Sequence, residues 1–96
     1  MLLINKGYTS GDVVSIKLSN GDEIIARFEE EANGVVKINR PLALTMSGGG
    51  LGMIPWMFLG ADDDVTIKKD HIFAMMSSKK DAADQYIQGT TGIALK

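Results

Sequence analysis

The short polar segment Lys68-Lys69-Asp70-His71 contains the side chains best suited to chemistry in this chain. A lysine can neutralise a phosphate, and a histidine can stack on a base or hydrogen-bond to it. His71 is the only histidine, and no residue near it in the sequence completes a catalytic pair or a metal cluster. The alternative is a solvated turn, which is the commoner role of adjacent lysines. The segment therefore favours binding over catalysis.

Sequence motifs that signal an enzyme are missing from the chain. It contains no HExxH, P-loop or GxGxxG pattern, and Gly48-Gly49-Gly50 is followed by Leu51 without the Lys-Ser/Thr that holds phosphate and magnesium. The acidic run Asp62-Asp63-Asp64 suggests calcium, but no EF-hand spacing follows, and a solvated turn explains it better. With no cysteine, thiolate metal sites and thiol nucleophiles are excluded. We expect a protein that is not an enzyme and holds no metal or cofactor.

The elements that position these side chains begin with residues 13–38, which contain three strand-like runs. Asn20-Gly21 and Asn33-Gly34 separate the runs, and Asn-Gly suits the two-residue type I′ turn, in which both residues have positive φ. Apolar and polar residues alternate along each run. The apolar side of the first run consists of Val14, Ile16 and Leu18. This period of two predicts an antiparallel meander with one buried face and one wet face.

Residues 41–60 carry no charged side chain. Their length would suit a membrane span, but glycines and two prolines interrupt them, and Pro55 would break a helix. We expect instead two apolar strands, at 42–46 and 53–59, buried in the core or against a neighbouring subunit. The candidate interface residues are the large apolar side chains of the second strand: Met53, Trp56, Met57 and Phe58.

A short helix is predicted at residues 78–89. Ser78 is a suitable N-cap, Asp81 completes a capping box, and Gly89 lies where a C-cap would fall. The chain of 96 residues allows a single domain, 1–96, with one modest core. Its net charge of −2 excludes a uniformly basic nucleic-acid-binding surface but leaves room for a local basic patch. A cytoplasmic location fits this composition.

Two segments together resemble the two sequence motifs of the Sm/LSm family. The first is IKLSNGDEIIARFEE at 16–30, where Ile16, Leu18 and Asn20-Gly21 match the first motif. The second is VTIKKDHIFAM at 65–75, where Lys68 takes the place of the family's arginine and Lys69 that of its glycine. With its uncharged insertion at residues 41–60 and its C-terminal helix, the chain is also similar to small Sm-like proteins of bacteriophages. The same residues would also suit an unrelated SH3-like barrel.

The resemblance implies an all-β fold, a small five-stranded and strongly bent antiparallel barrel with a short C-terminal helix. It implies a homo-oligomeric ring that pairs the edge strands of successive subunits. It further implies single-stranded RNA or DNA as the partner. No membrane role is expected, because glycines and prolines interrupt the uncharged residues 41–60. The residues that correspond to the family's two nucleic-acid-binding loops are Asn33, Gly34, Lys68, Lys69 and His71.

A structural or assembly module, for example of a phage, is the alternative function. It would use the same barrel and an apolar surface to bind protein. The net acidity of the chain and the replacement of the motif glycine by Lys69 favour this alternative. The presence of both Sm-like motifs favours nucleic-acid binding.

Overall fold

The computed structural model describes residues 7–57 and 59–91. The chain forms a mostly antiparallel β-sheet structure with one short C-terminal helix, as the sequence predicts. In chain order the elements are β1 (Val13–Leu18), β2 (Glu23–Ala32), β3 (Val35–Ser47), β4 (Gly50–Pro55), β5 (Asp64–Lys68), a 3-10 turn (Lys69–His71), β6 (Ile72–Ser77) and α1 (Lys80–Thr91). The described residues thus contain six strands, where five were predicted.

The predicted meander is confirmed as β1, β2 and β3. The sheet order is β4-β3-β2-β1-β6, and β5 also pairs with β3. The registers bring Ile16 opposite Ile24 and Phe28 opposite Ile38, so the apolar sides of the three strands share one face. The buried cluster on that face consists of Val14, Ile16, Leu18, Ile24, Ala26, Phe28, Val36, Ile38, Ile67, Ile72 and Met75.

The two Asn-Gly turns differ in geometry. Asn33 and Gly34 both have positive φ, 54° and 80°, as a type I′ turn requires. At the first turn Gly21 has a φ of 99°, whereas Asn20 is not in the left-handed region, so the type I′ prediction is wrong there. Asn20 instead accepts the N–H of Asp22 on its Oδ1 at 2.9 Å. This side-chain bond imitates a backbone turn, and the glycine that follows supplies the positive φ.

Strand β3 is long because it continues through a bend at Arg40-Pro41. Arg40 has a φ of 49°, and its N–H leaves the ladder to donate to the carbonyl of Asp63 at 2.7 Å. Before the bend β3 pairs with β5, and after it with β4. The predicted strand at 42–46 is therefore the second half of β3. The predicted strand at 53–59 is replaced by β4, which ends at Pro55 and is joined to β3 through Gly48-Gly49.

The sheet does not close on itself in the described part of the chain. β5 and β6 are joined by the 3-10 turn and lie at opposite ends of the path β5-β3-β2-β1-β6, but they do not pair with each other. The turn itself was expected from the polar centre of residues 65–76. A gap therefore lies between β5 and β6, and the candidate site described below lies beside β5.

Helix α1 packs on the bend of β3 through Tyr86, which is fully buried. The Tyr86 hydroxyl lies 2.8 Å from the carbonyl oxygen of Asn39 and 2.9 Å from that of Arg40. The helix begins at Lys80 rather than at the predicted Ser78. The Ser78 hydroxyl instead pairs with that of Ser15 on β1 at 2.8 Å. A cross-strand partner thus removes the expected N-cap.

Candidate functional site

The structure brings four of the five predicted nucleic-acid-binding residues together. The Lys69 N–H donates to the carbonyl of Gly34 at 2.9 Å, and Lys68 is paired with Val35 next to the Asn33-Gly34 turn. Because β5 runs alongside the start of β3, residues more than thirty positions apart in sequence meet at one end of the sheet. This end presents an amide, two lysines and a turn with exposed backbone.

The two lysines differ in availability. The Lys69 ammonium forms an ion pair with the Glu31 carboxylate, and both side chains are partly buried. The Lys68 side chain is exposed and makes no hydrogen bond or ion pair with residues 7–57 or 59–91. A bound phosphate would have to displace Glu31 to reach Lys69, whereas Lys68 is ready to receive one. Lys68 is therefore the stronger candidate for binding an anion.

His71 belongs to a different neighbourhood from Asn33. Its carbonyl accepts the backbone N–H of Ser19 at 2.9 Å and the Ser19 hydroxyl at 3.1 Å. These bonds hold the 3-10 turn against the turn between β1 and β2. The His71 ring is exposed and has no hydrogen-bond partner among the described residues. It lines the cleft that separates β5 from the β1–β2 turn.

This cleft has a volume of about 530 Å³. It lies along the free edge of β5, where the sheet fails to close. Trp56 lines the cleft and also packs against the core. The lining residues are Leu18, Ser19, Asn20, Trp56, Met57, Val65, Thr66, Ile67, Lys68 and His71. We call this space the Trp56 cleft.

The Trp56 cleft combines an aromatic wall with basic groups. Lys68 and His71 contribute nitrogen groups, and no described Asp or Glu lines the cleft, although the chain as a whole has a net charge of −2. The sequence predicts Trp56 at a subunit interface and Asn20 in a turn. Trp56 is the only tryptophan, and it directly follows Pro55, which ends β4. A single tryptophan directly after a proline can be singled out from the sequence. The sequence does not show that Asn20 and His71 line the same cleft.

A second unusual surface is the outer face of the β3–β4 hairpin. Residues opposite each other in an antiparallel pair project to the same face, so the register defines this surface. It comprises Leu42, Leu44, Met46, Leu51, Met53 and Pro55, which we call the apolar hairpin face. Met46 is 77% exposed and Leu51 is 43% exposed. Of the uncharged segment, Ala43 and Trp56 pack against the core, as one of the two predicted environments requires, whereas Met46 and Leu51 do not.

The other predicted interface residues do not all belong to this face, although Met57 lines a second cavity together with its members Leu42 and Pro55. Met53 belongs to it, but Trp56 and Met57 line the Trp56 cleft. Met57 is 53% exposed. Phe58 lies outside the described residues. The structure thus divides the predicted apolar cluster between two surfaces.

The acidic run at 62–64 has structural partners. The Asp63 carboxylate lies 3.3 Å from the Arg40 guanidinium, and the Asp64 carboxylate accepts a hydrogen bond from the Asn39 amide at 2.9 Å. Lys37 lies 3.9 Å from Asp64. In residues 7–57 and 59–91 no group of three or more His, Cys, Asp or Glu side chains is arranged to hold a metal ion. These contacts anchor the bend of β3 to the start of β5.

The sequence matches no protein-family model, and no curated protein aligns with it significantly. The Sm-like resemblance therefore stays a prediction. Within the described residues no helix has the length and apolar character needed to cross a membrane.

Proposed function

We propose that this chain is a non-enzymatic Sm-like barrel protein that binds single-stranded RNA or DNA as a homo-oligomer. The observation that carries the proposal is the contact between the two predicted loops, through the hydrogen bond from Lys69 to Gly34. It brings Asn33 and Lys68, which has no ion-pair partner among the described residues, to one end of the sheet. Lysine contacts with phosphate position a strand, and amide contacts with base edges distinguish bases.

The free edges of the sheet support the homo-oligomeric part of the proposal. β4 and β6 lie at opposite ends of the strand order, and each pairs on one side only among the described residues. Pairing β4 of one subunit with β6 of the next would satisfy both edges, and repetition of this contact closes a ring when the rotation fits. Each subunit of such a ring would add another Lys68. The ring would therefore concentrate positive charge that a single acidic chain lacks.

The test is a fluorescence-anisotropy titration of labelled single-stranded RNA and DNA at two salt concentrations. We expect Lys68→Ala to weaken binding and to reduce the slope of log affinity against log salt by about 0.7 for each phosphate that is no longer neutralised. Lys69→Ala should have a smaller effect, because Glu31 already pairs with Lys69. Lys80→Ala is the matched control, since Lys80 pairs with Asp84 on α1.

Two outcomes would contradict nucleic-acid binding. One is the absence of salt-dependent binding to any single strand by the wild-type protein. The other is an equal loss of affinity in Lys68→Ala and Lys80→Ala, which would indicate a general charge effect and no defined site.

The second candidate function is protein assembly through the apolar hairpin face. Its support is the exposure of this face, because an apolar surface of this kind on a small domain is a common mark of an interaction site. Light scattering of the wild-type protein and of Met46→Lys separates the possibilities. If Met46→Lys dissociates an oligomer while its thermal unfolding matches that of the diluted wild type, the face joins copies of this chain. A wild-type monomer at micromolar concentration would contradict the homo-oligomer.

A further inference from the structure

The Trp56 cleft has an aromatic wall that is partly packed on the core. The Trp56 backbone N–H donates to the carbonyl of Pro41 at 3.0 Å, and its side chain packs on the core. The indole N–H makes no hydrogen bond with the described residues and is not a buried unsatisfied group. The partly buried Trp56 side chain thus contacts the core and also lines the cleft. An aromatic ring held in this way suits stacking of a planar ligand, at little entropic cost to the protein.

Polar groups with unused hydrogen-bonding capacity surround this wall. The Thr66 hydroxyl and the His71 ring have no partner among the described residues, while the Ser19 hydroxyl is already bonded to the His71 carbonyl. Asn20 accepts the backbone N–H of Asp22 on its Oδ1 and donates one amide N–H to the Asp22 carboxylate at 3.3 Å, which leaves its second amide N–H. The cleft therefore offers donors and acceptors to the edge of a planar ring system.

The charge of the lining narrows the ligand further. Lys68 is the unpaired cation of the cleft, and no carboxylate of a described residue lies beside it in the lining to neutralise it. The ligand that matches these walls is planar and apolar on its faces, polar at its edge and anionic at one end. A nucleotide has all of these features. The volume of about 530 Å³ falls within the range of small-molecule sites, about 300–1,000 Å³.

We propose that the Trp56 cleft holds one nucleotide, with its base stacked on Trp56 and its phosphate at Lys68. This inference rests on the proposed function, which it refines by assigning base binding to a place other than the Asn33-Gly34 turn. His71, Thr66 and Asn20 face the edge of the base. A strand that continues from this nucleotide passes along the exposed end of the sheet, where Asn33 and Lys69 lie.

Trp56 itself reports on binding, because the chain has no other tryptophan. We expect UMP and AMP to quench or shift its fluorescence saturably, with uridine and adenosine binding more weakly and inorganic phosphate leaving the signal unchanged. Lys68→Ala should abolish the preference for nucleotide over nucleoside. A signal that responds equally to nucleoside and nucleotide in the wild type would overturn the placement of the phosphate.

Oligonucleotide binding tests the stack. Trp56→Leu should weaken single-strand binding roughly 5- to 150-fold, the usual effect of removing one base–aromatic stack, and Trp56→Phe should retain most of the affinity. Phe73→Leu is the matched control, because Phe73 is an aromatic residue that is 74% exposed and does not line the cleft. Thermal unfolding of each variant checks the fold. His71→Ala leaves Trp56 in place, and we expect it to weaken UMP binding measured by Trp56 fluorescence.

The outcomes separate the two proposals. Single strands could bind through Lys68 while Trp56→Leu keeps the wild-type affinity and UMP leaves the Trp56 fluorescence of the wild type unchanged. In that case the cleft inference falls and the proposed function stands. If UMP binds in the cleft but no strand binds in a salt-dependent way, the proposed function falls and the nucleotide site stands. Binding of neither overturns both. A hydrophobic peptide that saturates the Trp56 signal where UMP does not would assign the cleft to protein and overturn the inference.

Discussion

Two regions of the sheet carry apolar residues at alternate positions: the meander, formed by β1, β2 and the first half of β3, and the hairpin, formed by the second half of β3 and β4. They differ in how far these apolar side chains are buried. In the meander, Ile16, Ile24 and Ile38 are fully buried. In the hairpin, Met46 and Leu51 on the apolar hairpin face are largely exposed. The last β2–β3 pair in this direction joins Ile24 to Ala43. Beyond this pair β2 no longer runs beside β3. Among the described residues, the far end of the hairpin therefore consists of β3 and β4 with no further strand paired to them.

This difference separates apolar residues that fold the chain from apolar residues available for association. Burial of the meander side chains stabilises the monomer by about 25 cal/mol for each Å² removed from water. Leu42, Leu44 and Met53 of the apolar hairpin face are already partly buried in the single chain, and its exposed part, at Met46 and Leu51, contributes this energy only when a partner covers it. The uncharged segment predicts strands buried in the core or against a neighbouring subunit; Met46 and Leu51 are exposed in the single chain, and the subunit interface stays a prediction.

The largest expected effect contrasts one residue from each region. Ile38→Ala should lower the free energy of unfolding by about 2–5 kcal/mol, because it removes a fully buried side chain and leaves a cavity. Met46→Ala should change it by less than about 0.5 kcal/mol, because Met46 is 77% exposed. Urea denaturation of the diluted protein measures both. Equal destabilisation at low concentration would show that the hairpin belongs to the folding core.

Tyr86 joins the two regions, and its loss should have the next largest effect. Its hydroxyl bonds the carbonyls of Asn39 and Arg40, where the meander ends and the hairpin begins. Tyr86→Phe leaves these carbonyls without their donor, and we expect a loss of about 1–3 kcal/mol in the free energy of unfolding. Tyr8→Phe is the matched control, since its single hydrogen bond to the Met75 carbonyl is longer, at 3.2 Å. A larger effect of Tyr8→Phe would contradict this ranking.

The same phenol predicts a pH dependence. Burial raises the pKa of Tyr86 to about 12, against the opposing effect of Arg27 and Arg40. In the unfolded chain a tyrosine has a pKa of about 10. The stability contributed by the protonated Tyr86 phenol is therefore fully present below pH 10 and is lost as the pH rises through 12. Between these values the wild type should lose stability relative to Tyr86→Phe, measured by thermal unfolding. The loss should persist in Tyr8→Phe, which retains Tyr86.

The elements that were predictable from sequence are those determined by local pattern. The period of two and the two Asn-Gly pairs were enough for the meander, and the polar centre at Lys68-Lys69 was enough for the turn between β5 and β6. The Trp56 cleft depends on contacts between distant segments, since Trp56 meets Asn20 and His71 only after the sheet has bent. The predicted helix start at Ser78 is wrong because of another contact between distant segments, since the Ser78 hydroxyl bonds that of Ser15 on β1.

The smallest effect compares the turns of the two regions. Gly34 has a φ of +80°, whereas Gly49 lies outside the left-handed region, and at either position a Cβ would meet no described atom within 4 Å. Gly34→Ala should therefore destabilise the protein by about 1 kcal/mol through backbone strain alone. Gly49→Ala should be neutral or stabilise it by up to about 1 kcal/mol, because alanine restricts the unfolded chain. Thermal unfolding measures both, and a greater loss in Gly49→Ala would show that the hairpin tip, and not the Asn33-Gly34 turn, constrains the fold.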